Sequence, residues 1–187
     1  MTRMLERRAI RQAEAEGRTL SGYAAVFNSA SEPLQSHRGE FVETIAPGAF
    51  KRSLADSRVW AYYNHDTNWP LARTPDTLTL SEDRVGLRMT MQVPDTTYGR
   101  DVMALLEAGI LDGSMSFGFR TKEDRWERRD GVLHRTLLDV DLVEISVVQT
   151  PAYTAPHAAL RGADPVDLAT SRRRLAVRIR AAAGSAT

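Results

Sequence analysis

Apolar and polar residues alternate along several short segments of the chain, most clearly through LDGSMSFGFR at positions 111–120. A period of two predicts a strand, because successive side chains of a strand point to opposite faces. The bulky residues share one face, namely Met115, Phe117 and Phe119. The other face carries little bulk, namely Ser114, Ser116, Gly118 and then Arg120. Such a face leaves room for a substrate backbone, which makes Ser116 a candidate nucleophile. The alternative is a plain strand packed under a loop.

The same kind of pattern predicts the remaining elements of the fold. Further strands are expected at 20–27, 41–45, 59–63, 78–80, 85–93 and 132–148. One helix is predicted to begin near Pro47 and another to lie between Asp95 and Gly109. The charged stretch 122–131 is predicted to be a turn, and residues 1–17 either a first strand or a frayed leader. Short strands that outnumber the helices predict a mainly β, α+β fold, with an antiparallel β-barrel core ringed by a few helices.

The composition is that of a globular protein, since 42% of the 187 residues are apolar. We expect one domain at 1–160 and a basic, Ala- and Arg-rich C-terminal tail at 161–187, where the composition changes. The net charge of +1 argues against a dedicated nucleic-acid binder. The chain has no cysteine, which excludes a thiol nucleophile. We expect no signal peptide and no membrane span, and the lack of phosphate-binding and metal-binding motifs predicts no cofactor.

Four histidines are candidates for a general base: His37, His65, His134 and His157. Imidazole titrates near pH ~6.5 in solution, which suits proton transfer at neutral pH. His65 is the preferred candidate, because it lies between an asparagine and an aspartate just after the predicted strand VWAYY. The alternative for His65 is an ordinary histidine of a surface turn.

A serine–histidine pair is usually completed by a third group that orients the imidazole. Glu144 is the candidate, because alternation along 138–148 places it on a mostly apolar face, where a carboxylate needs a partner. Asp139 and Asp141 on the opposite face are rivals. The structural alternative for Glu144 is an ion pair with a lysine or arginine.

Peptide hydrolysis also needs hydrogen-bond donors for the negative charge that develops on the carbonyl oxygen. The backbone N–H groups of Phe117 and Gly118 are candidates for this role, because glycine lets a substrate approach closely. Arg120 lies two residues further along the same predicted face and is a candidate for additional positive charge.

Six segments occur in an order that resembles a known family. They are GYAAVF at 22–27, FVETIAPGAF at 41–50, NHD at 64–66, the helix before Gly109, SMSFGF at 114–119 and LVEISVVQTPAY at 142–153. Together they resemble the HK97-type prohead proteases of tailed phages, which process capsid precursors. That family is similar to the herpesvirus assemblins in its Asn-His-Asp and Ser-x-Gly segments.

The resemblance implies a serine endopeptidase on a β-barrel core ringed by helices. It implies Ser116 as nucleophile, His65 as base and Glu144 as the acidic third member. Assemblins use a second histidine as third member, and His134 or His157 is the candidate if that applies here. Ser114 is the rival nucleophile on the same predicted face.

The resemblance also implies a biological setting. Such proteases act inside the immature capsid in the host cytoplasm, on the scaffold or major capsid precursor and on themselves. The likeness to assemblins implies a homodimer. An alternative is a non-catalytic capsid assembly or scaffolding protein on the same fold, and a further one is a nucleic-acid binder that uses the basic tail.

Overall fold

The described part of the chain consists of residues 6–11, 13–16, 18–56 and 58–149 in a computed structural model, with side chains described from residue 18 onward. The strands are β1 (Glu6–Arg11), β2 (Ala13–Glu16), β3 (Thr19–Val26), β4 (Leu34–Ser36), β5 (Gly39–Ile45), β6 (Trp60–Tyr63), β7 (Asp66–Arg73), β8 (Leu78–Glu82), β9 (Gly86–Gln92), β10 (Ser114–Arg129) and β11 (Val132–Val147). The helices are α1 (Lys51–Asp56) and α2 (Thr97–Glu107).

A seven-stranded sheet is built around the antiparallel hairpin of β10 and β11. β1 pairs along the other edge of β10, while β11 pairs with β5 along its first half and with β6 along its end. β4 and β7 pair with β5 and β6, respectively. A second sheet has the order β2-β3-β9-β8, and the strands curl into a half-barrel.

The predicted mainly β fold with flanking helices is confirmed. Two strand pairs differ from the antiparallel arrangement expected of the core, because β5 and β6 both run parallel to β11. Alternation identifies a strand but carries no information on the direction of its neighbour, which depends on the connections between strands. The charged leader contributes β1 and β2, and β7 follows His65 where no strand was predicted.

The predicted turn at 122–131 is mostly strand, because β10 continues to Arg129 and pairs with β11 to the tip of the hairpin. Only Asp130 and Gly131 form the turn, with φ values of 49° and 81°. Positive φ at both residues is the requirement of a type I′ turn, for which Asp-Gly is a favoured pair. Trp126 stabilises this charged arm by packing on Phe41, with ring centroids 5.0 Å apart.

The core lies between the two sheets and the helices, and its centre is aromatic. The Phe50 and Phe117 rings meet edge to face at 5.6 Å, and Phe117 stacks on Phe119 at 5.2 Å. The predicted apolar face of the serine strand is therefore the core face, which fixes the opposite face as the location of Ser116.

α2 begins and ends as the sequence predicts. Thr96 caps it by accepting a hydrogen bond from the Gly99 amide, and Gly109 follows its end with φ of 69°. No helix within the described ranges is long and apolar enough to cross a membrane. The predicted tail at 161–187, the boundary near residue 160 and His157 lie outside the described residues.

Candidate active site

His65 lies in the two-residue turn between β6 and β7, in which Tyr63 pairs with Asp66. Asn64 and His65 have φ values of 50° and 60°, in the left-handed region that Asn and His adopt more readily than most residues. The Asn64 amide donates to the Val147 carbonyl at 2.8 Å, and its side-chain oxygen accepts from the amide of Gln149 at 2.9 Å. These bonds fix the His65 turn against the end of β11.

His65 and Glu144 are hydrogen-bonded, with Nδ1 2.7 Å from Oε1. The histidine side chain is 20% exposed and the glutamate side chain 5%. Because an ionised carboxylate only accepts hydrogen bonds, Nδ1 carries the proton in this pair and Nε2 is left as an acceptor. That is the tautomer which a histidine needs to take a proton from a serine.

Glu144 faces this side of the sheet because β11 contains a β-bulge. Gly118 pairs with Glu144 but the next residue, Phe119, pairs with Leu142, so Val143 is an extra residue in the ladder. Leu142 thus faces the core, while Glu144 faces the opposite side. The expectation that Glu144 shares a face with its apolar neighbours is wrong here, because a bulge interrupts the strict period of two.

Two further neighbours of the Glu144 carboxylate lie on the same face. The Ser146 hydroxyl, which is fully buried, donates to Oε2 at 2.6 Å. A Cβ atom on Gly118 would lie only 2.4 Å from Oε1, so the carboxyl group occupies the space above this glycine. A side chain at 118 would therefore have to displace the Glu144 carboxyl group, which fills the room predicted on this face.

The negative charge of Glu144 affects the pKa of a neighbouring tyrosine, Tyr62. Tyr62 pairs with Ser146 in the parallel β6–β11 ladder and so lies beside Glu144. Burial, followed by the charge of Glu144, raises the pKa of the Tyr62 hydroxyl above its ordinary value.

Ser116 lies on β10 directly opposite Ser146, two residue pairs along from Gly118 and Glu144. Ser116 and Glu144 are therefore diagonal neighbours on one face of the β10–β11 ladder, a relationship that places such residues roughly 7–8 Å apart. The Ser116 side chain is 2% exposed, and β10 is paired on both edges. The structure therefore places the hydrogen-bonded His65–Glu144 pair and a buried Ser116 on one face of the sheet.

Ser114, the rival nucleophile, has a structural role. Its hydroxyl donates to Asp112 Oδ1 at 2.5 Å, and its amide donates to the same oxygen at 3.0 Å. A hydroxyl held in this way closes the turn that leads from α2 into β10. This geometry distinguishes Ser114 from Ser116.

The rival third members lie elsewhere. Asp139 and Asp141 both bind the Arg52 guanidinium on α1, at 2.8 and 2.7 Å. His134 pairs with Glu127 near the far end of the β10–β11 hairpin. It is ten residues from Glu144, which is roughly 30 Å along a strand.

His37 is exposed next to the short β4–β5 hairpin. Within the described ranges no group of three or more His, Asp or Glu side chains is arranged to hold a metal ion.

One family model matches residues 4–167, and its description is caudovirus prohead serine protease. The chain belongs to this family. The resemblance found in the sequence is thereby confirmed, and with it the assignment to the bacteriophage serine proteases of capsid maturation. No curated protein and no solved structure gives a significant match.

Two residues of this prohead protease family member were missed as parts of the site. Asn64 was noted only as a neighbour of His65, although an asparagine before a turn histidine is a signal for a left-handed turn. Ser146 lies two residues from Glu144, so period two places both on one face, but their hydrogen bond cannot be read from spacing. The backbone N–H groups of Phe117 and Gly118, which were expected to bind the oxyanion, lie in a strand that is paired on both edges. Arg120, which was expected to add positive charge, is exposed and lies opposite Asp141.

Proposed function

We propose that this chain is a serine endopeptidase that cleaves the scaffold or major capsid precursor, and itself, during prohead maturation. In this proposal Ser116 is the nucleophile, His65 the general base and Glu144 the group that orients His65. The observation that carries it is the 2.7 Å hydrogen bond between His65 and Glu144 on the sheet face that bears Ser116. Membership of the prohead serine protease family supports the class of reaction.

The mechanism is acyl transfer through an ester on Ser116. Nε2 of His65 takes the hydroxyl proton as Oγ attacks the scissile carbonyl carbon. His65 then gives this proton to the leaving amine nitrogen, and the C–N bond breaks. A water molecule, deprotonated by the same imidazole, attacks the ester carbon, the C–Oγ bond breaks, and the imidazolium returns the proton to Oγ as the new carboxyl terminus leaves. Glu144 stabilises the imidazolium that forms in both steps.

A substrate needs local opening before it reaches Ser116, which is 2% exposed. A protease that matures inside a capsid with its substrates benefits from a closed resting state, because cleavage before assembly would waste the precursor. Opening steps of this kind occur on the microsecond to millisecond scale in many enzymes.

The proposed setting is the immature capsid in the host cytoplasm, with the precursor as partner and a homodimer as the working form. The domain at 1–160 would carry the activity. The basic tail at 161–187 would direct the enzyme into the capsid or be removed by self-cleavage. An intact C-terminus in mature particles, together with normal packaging of a tail-deleted chain, would contradict this role.

The burial of Ser116 favours a second candidate, a non-catalytic assembly or scaffolding protein on the same fold. Such a protein would bind the precursor without shortening it. The two candidates differ in one observable, which is the mass of the precursor after co-expression.

The deciding experiment co-expresses the chain with its capsid precursor and reads the products by intact mass. The variants are Ser116→Ala, His65→Ala, Glu144→Ala and, as the matched serine control, Ser114→Ala. We expect wild type and Ser114→Ala to shorten the precursor, Glu144→Ala to do so slowly, and the other two to leave it intact. Equal cleavage by every variant would assign the activity to another protein, and no cleavage by wild type would favour the assembly role.

Acid should inhibit the reaction, because a protonated imidazole cannot act as base. We expect the rate to be lower at mildly acidic pH than at neutral pH. A flat profile over this range would contradict the role of His65.

A further inference from the structure

A groove of about 390 Å³ lies between α2 and the tip of the β6–β7 hairpin. The hairpin contributes Asn64 and Asp66, which are the two chain neighbours of His65. The helix contributes Tyr98 and Asp101. The groove therefore lies within one residue of the proposed base, and its size is in the range of small binding sites.

The wall of the groove is aromatic and held in place. Trp69 and Tyr98 meet edge to face, with ring centroids 5.1 Å apart and an angle of 87° between the rings. The Tyr98 hydroxyl donates to the Pro70 carbonyl at 2.9 Å, which ties the helix to the hairpin. Trp69 is nevertheless 42% exposed, so part of its ring is accessible to a ligand.

The charged residues that line the groove are negative. Of the eight described residues that line it, the two charged ones are the acids Asp66 and Asp101. Asn68 donates both its backbone and its side-chain N–H to Asp66 Oδ1, each at 2.9 Å, which fixes the orientation of this carboxylate. Carboxylates beside an aromatic face suit a cationic group on an apolar stem, because the stem packs on the rings while the charge is paired.

We propose that this groove is the specificity subsite that receives an arginine or lysine side chain of the peptide substrate. That the bound peptide is a substrate rests on the proposed function, whereas the preference for a cationic side chain rests on the groove alone. A peptide whose scissile carbonyl lies at Ser116 passes the His65 turn. An extended chain advances about 3.3 Å per residue, so a side chain a few residues from the carbonyl reaches the groove.

The groove is tested by binding, in the full-length Ser116→Ala protein, which cannot consume the probe. The probes are capped Ala-Ala-X-Ala-Ala peptides in which X is arginine, its neutral isostere citrulline, or norleucine. Binding is read from the nuclear magnetic resonance signals of the three tryptophan indoles, with the Trp69 signal assigned by Trp69→Phe. We expect the arginine peptide to shift the Trp69 signal and to bind roughly fivefold tighter than the citrulline peptide.

Two charge-removing variants on the same helix provide the comparison. Asp101→Asn should abolish most of the preference for arginine over citrulline. Glu107→Gln removes an acid that lies on α2 outside this groove, and it should leave the preference unchanged. Equal binding of arginine and citrulline peptides, tighter binding of norleucine, or an unresponsive Trp69 signal would each overturn the inference.

Cleavage separates this inference from the proposed function. If wild type cleaves the precursor and Ser116→Ala does not, kcat/KM for matched arginine and citrulline peptides should differ in the same ratio as binding. Cleavage without this difference in kcat/KM would overturn the proposed subsite and leave the proposed protease function standing. A groove that binds arginine in a chain that cleaves nothing would leave the cation preference standing and remove the protease function.

Discussion

The carboxyl group of Glu144 fills the space that a side chain on Gly118 would need. A Cβ atom at 118 would lie 2.4 Å from Oε1 and 3.0 and 3.1 Å from Cδ and Cγ. Glycine at this position therefore leaves space for the partner of His65, without contributing any chemical group of its own.

Gly118→Ala should displace Glu144 and weaken its bond to His65. Misplacing a catalytic group by about 1 Å can lower a rate by roughly 100-fold, and we expect a loss of kcat/KM of that order. The measurement is cleavage of the precursor, with thermal unfolding in parallel to show that the variant is folded. Full activity in a folded variant would mean that the position of Glu144 is unimportant.

Ser146→Ala removes the hydroxyl that donates to Glu144 Oε2 at 2.6 Å. A buried carboxylate that loses a donor takes up a proton more readily, so the acidic side of the pH–activity profile should move to higher pH. We expect about a tenfold lower kcat, since orienting partners of catalytic groups act at this scale. Ser146→Thr keeps the hydroxyl and should restore most of the profile, whereas a merely structural role for Ser146 would leave the profile unmoved.

Glu144→Gln should lower the pKa of Tyr62. The phenolate is disfavoured first by burial and then by the negative charge of Glu144, and the substitution removes the second cause. The pKa should therefore move toward the ordinary value without reaching it. Ultraviolet absorbance of tyrosinate, compared with Tyr62→Phe, measures the shift. Asp139→Asn removes a charge bound to Arg52 and is the control, for which the Tyr62 pKa should not change.

Acid should weaken the attachment of α1 to β11. The hydrogen bond from Lys122 and then that from Arg52 hold the pKa of Asp141 below its ordinary value of 3.8, against an opposing effect of burial. A carboxyl group whose pKa is lower in the folded than in the unfolded state stabilises the fold when the pH is above its unfolded-state pKa. This contribution is lost as the pH falls through its folded-state pKa. Below about pH 4, wild type should lose up to roughly 1 kcal/mol more of its unfolding free energy than Asp141→Asn.

Urea unfolding of both proteins at neutral pH and near pH 3 measures that difference. The stability gap between wild type and Asp141→Asn should narrow as pH falls. A gap that is the same at both values would show that the Asp141 ion pairs contribute nothing to stability.

Local patterns were sufficient for most elements of the fold. The alternation around Phe117 identified the central strand, and the helix predicted between Asp95 and Gly109 is α2. The charged stretch 122–131 is mostly strand rather than turn, because a two-stranded arm anchored by Trp126 tolerates polar side chains on both faces. β7 was missed because its sequence, DTNWPLAR, contains a proline and begins with turn-forming residues.

The sequence by itself determined which residues are candidates for the site. The scarcity of histidines, the bare face around Ser116 and a carboxylate in an apolar strand identified three residues that the fold brings to one region. The tertiary structure alone decided their geometry. The bulge at Val143 turns Glu144 to the face of Ser116, Gly118 gives it space, and Asn64 fixes the His65 turn to β11. Some of these relationships join residues that lie 26 to 85 positions apart in the chain, and the others depend on a break in the period of two. The local spacing of residues predicts neither kind.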